Sequence, residues 1–149
     1  MSFKVTYTVR ASRAERRICE VKEKFLDAAP IKCIGLDCEF TDTVKNIRFP
    51  LEQRHRAAVL QLSVVYETLV FHIVQDNDVP KALREFLNDD SIVLFGAAIG
   101  NDIDKPDYYG IDTSAAIDLQ HVILNPIAKP LASLYNIANA YIRTNLSKR

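Results

Sequence analysis

The chain has no net charge. Its 149 residues carry 19 Lys and Arg against 19 Asp and Glu. That balance excludes holding nucleic acid by bulk electrostatics, so any phosphate contact has to come from a local patch. No apolar run approaches the ~18 residues of a membrane span, and no signal-peptide pattern is present. We therefore expect an intracellular protein, nuclear or cytoplasmic, without membrane contact. Cysteine is scarce: Cys19, Cys33 and Cys38 are odd in number and fit no metal-ligand spacing. They read as reduced thiols rather than a disulfide framework. Internal repeats and low-complexity segments are absent. What remains is a chain that is 48% apolar, enough to bury a core in one domain over residues 1–149.

Alternating element types follow along the chain. Phe3, Val5, Tyr7 and Val9 alternate with polar residues and predict a first strand. Ser12-Arg13-Ala14-Glu15 has the form of a capping box, predicting a helix with Ile18, Val21 and Phe25 as its apolar stripe. Arg13, Arg16 and Arg17 read as that helix's polar face. An apolar strand is expected over 31–38, then a long polar loop over 41–56. Strands at 58–65 and 69–74 form a hairpin around Tyr66-Glu67-Thr68. A helix capped by Asp78-Val79-Pro80 runs to Leu87. A strand at 91–97, a short helix over 101–109, a short strand at 115–119 and a helix over 131–142 complete a mixed-sheet α/β domain.

One tripeptide stands out in this pattern. In Asp37-Cys38-Glu39 the two carboxylates point the same way, because strand side chains alternate faces. Like charges side by side at the end of an apolar strand call for a cation or a proton between them. Hard oxygen donors suit magnesium or manganese, which makes the pair a candidate phosphoryl-transfer site. Asp102 follows a neighbouring strand and the glycines Gly96 and Gly100. It reads either as a helix cap or as a third ligand of the same metal site. Asp118 reads as a cap for the helix after it. His72 and His121 lack an acidic or cysteine partner at ligand spacing and read as structural. Arg48, Arg54, His55 and Arg56, in the loop after the metal strand, read either as a solvated basic loop or as phosphate contacts.

The run Ile34-Gly35-Leu36-Asp37-Cys38-Glu39-Phe40 resembles the first motif of the DEDD-type 3′–5′ exonucleases. Phe95-Gly96-Ala97-Ala98-Ile99-Gly100-Asn101-Asp102 is similar to their second. The stretches 58–64, 69–73 and 117–119 fit the strands between and after. Within the family the chain looks most like Werner-syndrome-type exonuclease domains, particularly the plant members. The resemblance implies a ribonuclease-H-like mixed sheet flanked by helices, acting on 3′ ends of DNA or RNA. It also implies a site with two metal ions about 3.5–4 Å apart. Asp37 would bridge both ions, Glu39 would hold the one that activates water, and Asp102 would serve the second. The basic loop residues Arg48, Arg54, His55 and Arg56 would touch the nucleic acid.

The family's third motif pairs a Tyr or His with an Asp four residues on, the fourth metal ligand. It is expected beyond the helix at 131–142 and is not found before Arg149. Tyr135-Asn136-Ile137-Ala138-Asn139 is a superficial stand-in, with a neutral amide in the acidic place. The expectation is thus a C-terminally shortened domain with a three-carboxylate site and weak metal binding. One sheet face should expose apolar surface, covered in a homo-oligomer or by a protein partner. Two function classes stay open: a metal-dependent 3′–5′ exonuclease, or a non-catalytic module for protein interaction or nucleic-acid binding.

Overall fold

Apolar alternation organises a six-stranded sheet. The computed structural model describes residues 2–40, 57–73, 79–99, 111, 115–123 and 133–145. The strands are β1 (Lys4–Thr8), β2 (Lys32–Phe40), β3 (Ala57–Val64), β4 (Glu67–Phe71), β5 (Ile92–Gly96) and β6 (Ile117–Asp118), in the spatial order β1-β4-β3-β2-β5-β6. β3 runs antiparallel to both neighbours, β2 and β4, while the other pairings are parallel. The helices are α1 (Ala11–Val21), α2 (Lys81–Leu87), α3 (Leu119–Val122) and α4 (Leu134–Tyr141). This is the expected mixed α/β sheet; the loop at 41–56 and the helix at 101–109 lie outside the described residues.

One sheet face carries the core. Ile34, Leu36, Leu60, Leu62, Leu69, Phe71 and Leu94 point to it, where Ala14 and Ile18 of α1 and Leu83 and Phe86 of α2 meet them. Burying this set supplies the main driving force for folding. α1 continues into a π-helical turn, Lys22–Leu26, closed by Asp27 N–H donating to Lys22 O at 3.0 Å. The extra residue of a π turn shifts the helical phase. As a result Leu26 enters the core, while the expected stripe residue Phe25 is only half-buried and stacks edge-on to Tyr66.

Several boundaries differ from expectation for local reasons. The capping box is not used: α1 begins at Ala11 after Arg10, which makes no side-chain cap. Instead Thr8 Oγ1 accepts from Arg10 N–H at 3.0 Å and turns the chain into the helix. That start places Ala14, Ile18 and Val21 inward. The β3–β4 turn is tighter than expected, with Val65 and Tyr66 at its tip and Val65 at φ 54. Glu67, expected in the turn, is therefore a strand residue facing the core. α4 is shorter than expected and starts at a Ser133 cap that accepts from Asn136 N–H at 3.3 Å.

β1 is a strand, but its apolar side faces outward. Val5 and Tyr7 are 66% and 53% exposed, whereas Thr6 and Thr8 are buried. α1 covers the threonine side, so the outward row joins the open face of the sheet. Before β5, the Asp89 carboxylate accepts from Ser91 Oγ at 2.6 Å and Ser91 N–H at 2.9 Å. Those bonds, the side-chain one first, hold its carboxyl below the usual aspartate range. Their stabilising contribution is present above that range and fades as pH falls through the lowered value. Among the described residues no helix is long and apolar enough to cross a membrane.

Gly96 ends β5 against β2. A Cβ there would meet Leu36 O at 2.7 Å and Ile99 Cγ2 at 2.6 Å. One neighbour is a side-chain methyl, but the other is a backbone carbonyl of the strand that presents Asp37. Gly96→Ala is expected to destabilise the fold by about 1–3 kcal/mol, read as a lower urea midpoint at unchanged slope. An unchanged midpoint would show that the backbones separate freely here.

Candidate functional site

The alternation of β2 places the carboxylates. Ile34 and Leu36 are 2% and 4% exposed, anchoring one face of the strand in the core. Asp37 and Glu39 consequently stand on the open face, both exposed, with Cys38 between them packed against the core. A one-residue slip would bury both carboxylates and expose Ile34 and Leu36, so the register is strongly specified. The strand end is thus buried on one face only, and water tempers the repulsion expected from a buried pair.

The neighbouring strand completes the local geometry. Gln61 lies opposite Asp37 in the β2–β3 register, and Val59 lies opposite Glu39. Gln61 Nε2 donates to Asp37 Oδ2 at 3.0 Å. This orients one carboxylate oxygen and leaves Oδ1 to other partners. The register shifts between Glu39 and Phe40. Such bulges bend a strand and re-aim its side chains beside functional sites. Gln61 escaped the sequence reading because only cross-strand register brings it to Asp37.

The end of β5 is tied to the same region. Asp118 caps α3, accepting from Gln120 N–H at 2.9 Å, as expected for it. The same Oδ1 accepts from Ala98 N–H at 3.3 Å. That bond holds the turn in which Ala98 takes φ 62, a left-handed conformation for a non-glycine residue. This turn leads into the segment carrying Asp102. His121, read as lacking an acidic partner, stands with Nδ1 3.8 Å from Asp118 Oδ2. His72 is stacked edge-on with Tyr7. None of Cys19, Cys33 and Cys38 forms a disulfide.

The structure therefore brings Asp37, Glu39 and Gln61 together. Asp102, Arg48, Arg54, His55 and Arg56 lie outside the described residues. Among the described residues no group of three His, Cys, Asp or Glu side chains forms a metal shell, and no salt bridge engages Asp37 or Glu39. The donor set fits a hard divalent cation in type: exposed carboxylate oxygens, one oriented by an amide, with no sulfur or nitrogen donor on that face of β2 between them.

A mixed sheet with one antiparallel strand, carrying paired carboxylates on the strand beside it, defines a ribonuclease-H-like exonuclease domain. The chain belongs to the 3′–5′ exonuclease domain family of the DEDD type, whose model matches residues 8–149. Exonuclease 3′-5′ domain-containing protein 2 of Drosophila melanogaster is 30% identical over 119 residues, 78% of this chain and 19% of that protein. The fold is also that of Escherichia coli RNase D, an exoribonuclease involved in structured RNA processing, with TM-score 0.69 at 17% identity over 99% of this chain and 35% of that one. The EXD2 exonuclease domain, from crystals soaked in manganese and GMP, matches with TM-score 0.58 at 18% identity over 94% of this chain and 70% of its own. Magnesium was soaked into other crystals of that domain. The chain thus spans about a fifth of the Drosophila protein and about a third of RNase D.

Proposed function

We propose that this chain is a metal-dependent 3′–5′ exonuclease domain that releases nucleotides from 3′ ends of DNA or RNA. The observation that carries this reading is the placement of Asp37 and Glu39 side by side on the open face, with Gln61 orienting Asp37, in a chain of this family. Asp37, Glu39 and Asp102 would hold magnesium or manganese. A divalent cation there supplies Lewis-acid stabilisation of charge on the phosphoryl oxygens and eases deprotonation of the attacking water.

The chain's own residues position and screen. Gln61 limits the rotation of Asp37 and keeps one carboxylate oxygen aimed along the sheet. The register shift after Glu39 falls directly beside its carboxylate. Arg48, Arg54, His55 and Arg56 contact phosphates and fix the register of the strand without reading sequence. Residues 1–149 act as one domain in this reading, and we place it with the Werner-syndrome-type members on the strength of its first motif.

The test is a degradation assay on 5′-labelled DNA and RNA, single-stranded and with recessed 3′ ends, in magnesium or manganese. A ladder of products shortened from the 3′ end, abolished by EDTA, is expected. Calorimetry should register manganese binding to the same protein. Full-length substrate at high protein concentration in both metals, together with no heat of manganese binding, would sink the enzymatic reading. Manganese binding and oligonucleotide binding without turnover would instead support the non-catalytic module.

A further inference from the structure

We propose that the outer edge of β1 and the adjoining face of α1 form a track for the single strand upstream of its 3′ end. In this track Tyr7 serves as a stacking platform, and Arg13 and Arg16 serve as phosphate contacts. The proposal rests on the exonuclease reading and extends it away from the carboxylates.

The sheet register supplies the path. Tyr7 pairs with Val70, Val70 with Gln61, and Gln61 with Asp37. Paired residues share a face, so one row on the open face runs from the candidate metal ligands to Tyr7. β1 and β2 are separated by β4 and β3. Strand spacings of ~4.8 Å put Tyr7 about 14 Å from Asp37. A stacked strand rises ~3.4 Å per nucleotide, so about four nucleotides cover that distance.

The far end of the row has the right chemistry. Tyr7 is half-exposed, and its ring is braced by His72 with centroids 5.2 Å apart and planes at 69°. Bases stack on such a ring whatever their sequence. Beside it a groove of about 700 Å³ is lined by Tyr7, Val9, Arg10, Ser12, Arg13 and Arg16 among its residues, with three guanidinium groups and no carboxylate among the described lining residues. Arg13 and Arg16 are exposed. The chain as a whole is neutral, so this concentration of arginine is a local feature of the kind a polyanion requires. β1 also has a free edge among the described strands, which an extended acidic peptide would match. The aromatic platform and its continuity with the carboxylate pair favour the nucleic-acid strand.

Binding of 5′-fluorescein oligonucleotides, measured by anisotropy in EDTA so that nothing is cut, tests this. The full chain is compared with Tyr7→Ala, Tyr7→Phe and the double variant Arg13→Glu/Arg16→Glu. For the wild type, affinity should rise from a 3-mer to a 12-mer. Tyr7→Ala should weaken the 12-mer about ten-fold, as expected for one lost stacked base, and Tyr7→Phe should retain it. A 12-mer abasic at positions four to six from its 3′ end should not distinguish Tyr7→Ala from wild type. The arginine variant should flatten the salt dependence by roughly 0.7 in log–log slope per lost phosphate contact.

If wild type gains affinity with length and every variant gains it equally, the track is wrong while the exonuclease reading stands. If wild type binds no oligonucleotide and degrades none, the underlying reading fails first. A polyglutamate peptide that displaces the 12-mer from wild type but not from the arginine variant, with Tyr7→Ala silent, would assign the edge to peptide and overturn the proposal. Should Tyr7→Ala lose its circular-dichroism signature of folding, the arginine variant and Tyr7→Phe decide alone.

Discussion

Replacing Asp37 and Glu39 together with alanine is expected to reduce 3′-end trimming by about 1,000-fold or more, without loss of the fold. Metal-supported charge stabilisation is worth several kcal/mol, and each ~1.4 kcal/mol is a factor of ten in rate. Both side chains are exposed and contribute no core contact. The structural loss is the hydrogen bond from Gln61 to Asp37 at 3.0 Å, against which stands relief of like-charge repulsion. Without metal, the melting temperature of the double variant should therefore equal that of the wild type or slightly exceed it. Adding manganese should raise the melting temperature of the wild type by mass action, about 2.7 kcal/mol of stabilisation at a hundred times the dissociation constant. It should leave the variant unmoved. Activity within ten-fold of wild type in the variant would remove this pair from the chemistry. A large drop in stability would make it a structural element instead.

Glu67→Ala is expected to cost about 3–5 kcal/mol of folding free energy, the usual consequence of stranding one partner of a buried ion pair. The Glu67 side chain is 3% exposed and pairs with Arg17, itself 10% exposed, and with Lys24 Nζ at 2.9 Å. Arg17 Nη1 also meets Glu20 Oε2 at 2.7 Å, and that hydrogen bond holds the Glu20 carboxyl below its usual range. Removing Glu67 leaves the buried guanidinium with only the exposed Glu20 among these partners. At ~2–4 °C per kcal/mol for a chain of this size, the melting temperature should fall by roughly 6–20 °C. The double variant Arg17→Met/Glu67→Leu should recover most of the loss, because apolar groups of similar volume incur no desolvation penalty. A loss below about 1 kcal/mol for Glu67→Ala would mean that water reaches the pair and screens it.

That ion pair marks a limit of local sequence reading. Locally Arg17 reads as part of a polar helix face and Glu67 as a turn residue, because charged residues are mostly solvated. Burial of either is reasonable only with the other, and they stand 50 positions apart in the chain, on α1 and β4. The π-helical turn has a similar origin. Its phase shift delivers Leu26 to the core and Lys24 to Glu67, a choice made by packing rather than by helix propensity. β1 shows the complementary case. Alternation announced a strand, but a period of two does not say which side is buried. Coverage by α1 decided for Thr6 and Thr8.

The β2 strand, its paired carboxylates and the family they mark are all legible in the primary structure. Those signals are carried by consecutive residues whose alternation and chemistry can be read locally. The cap at Asp118 is legible for the same reason, since a cap acts within one helical turn. Only the tertiary structure set Gln61 against Asp37, seated Glu67 on Arg17, and ran one open row from Asp37 across Gln61 and Val70 to Tyr7. Each of these depends on which strand lies beside which and in what register. Register is settled by the whole core at once, since a slip in one strand turns all its apolar side chains away from the helices that cover them.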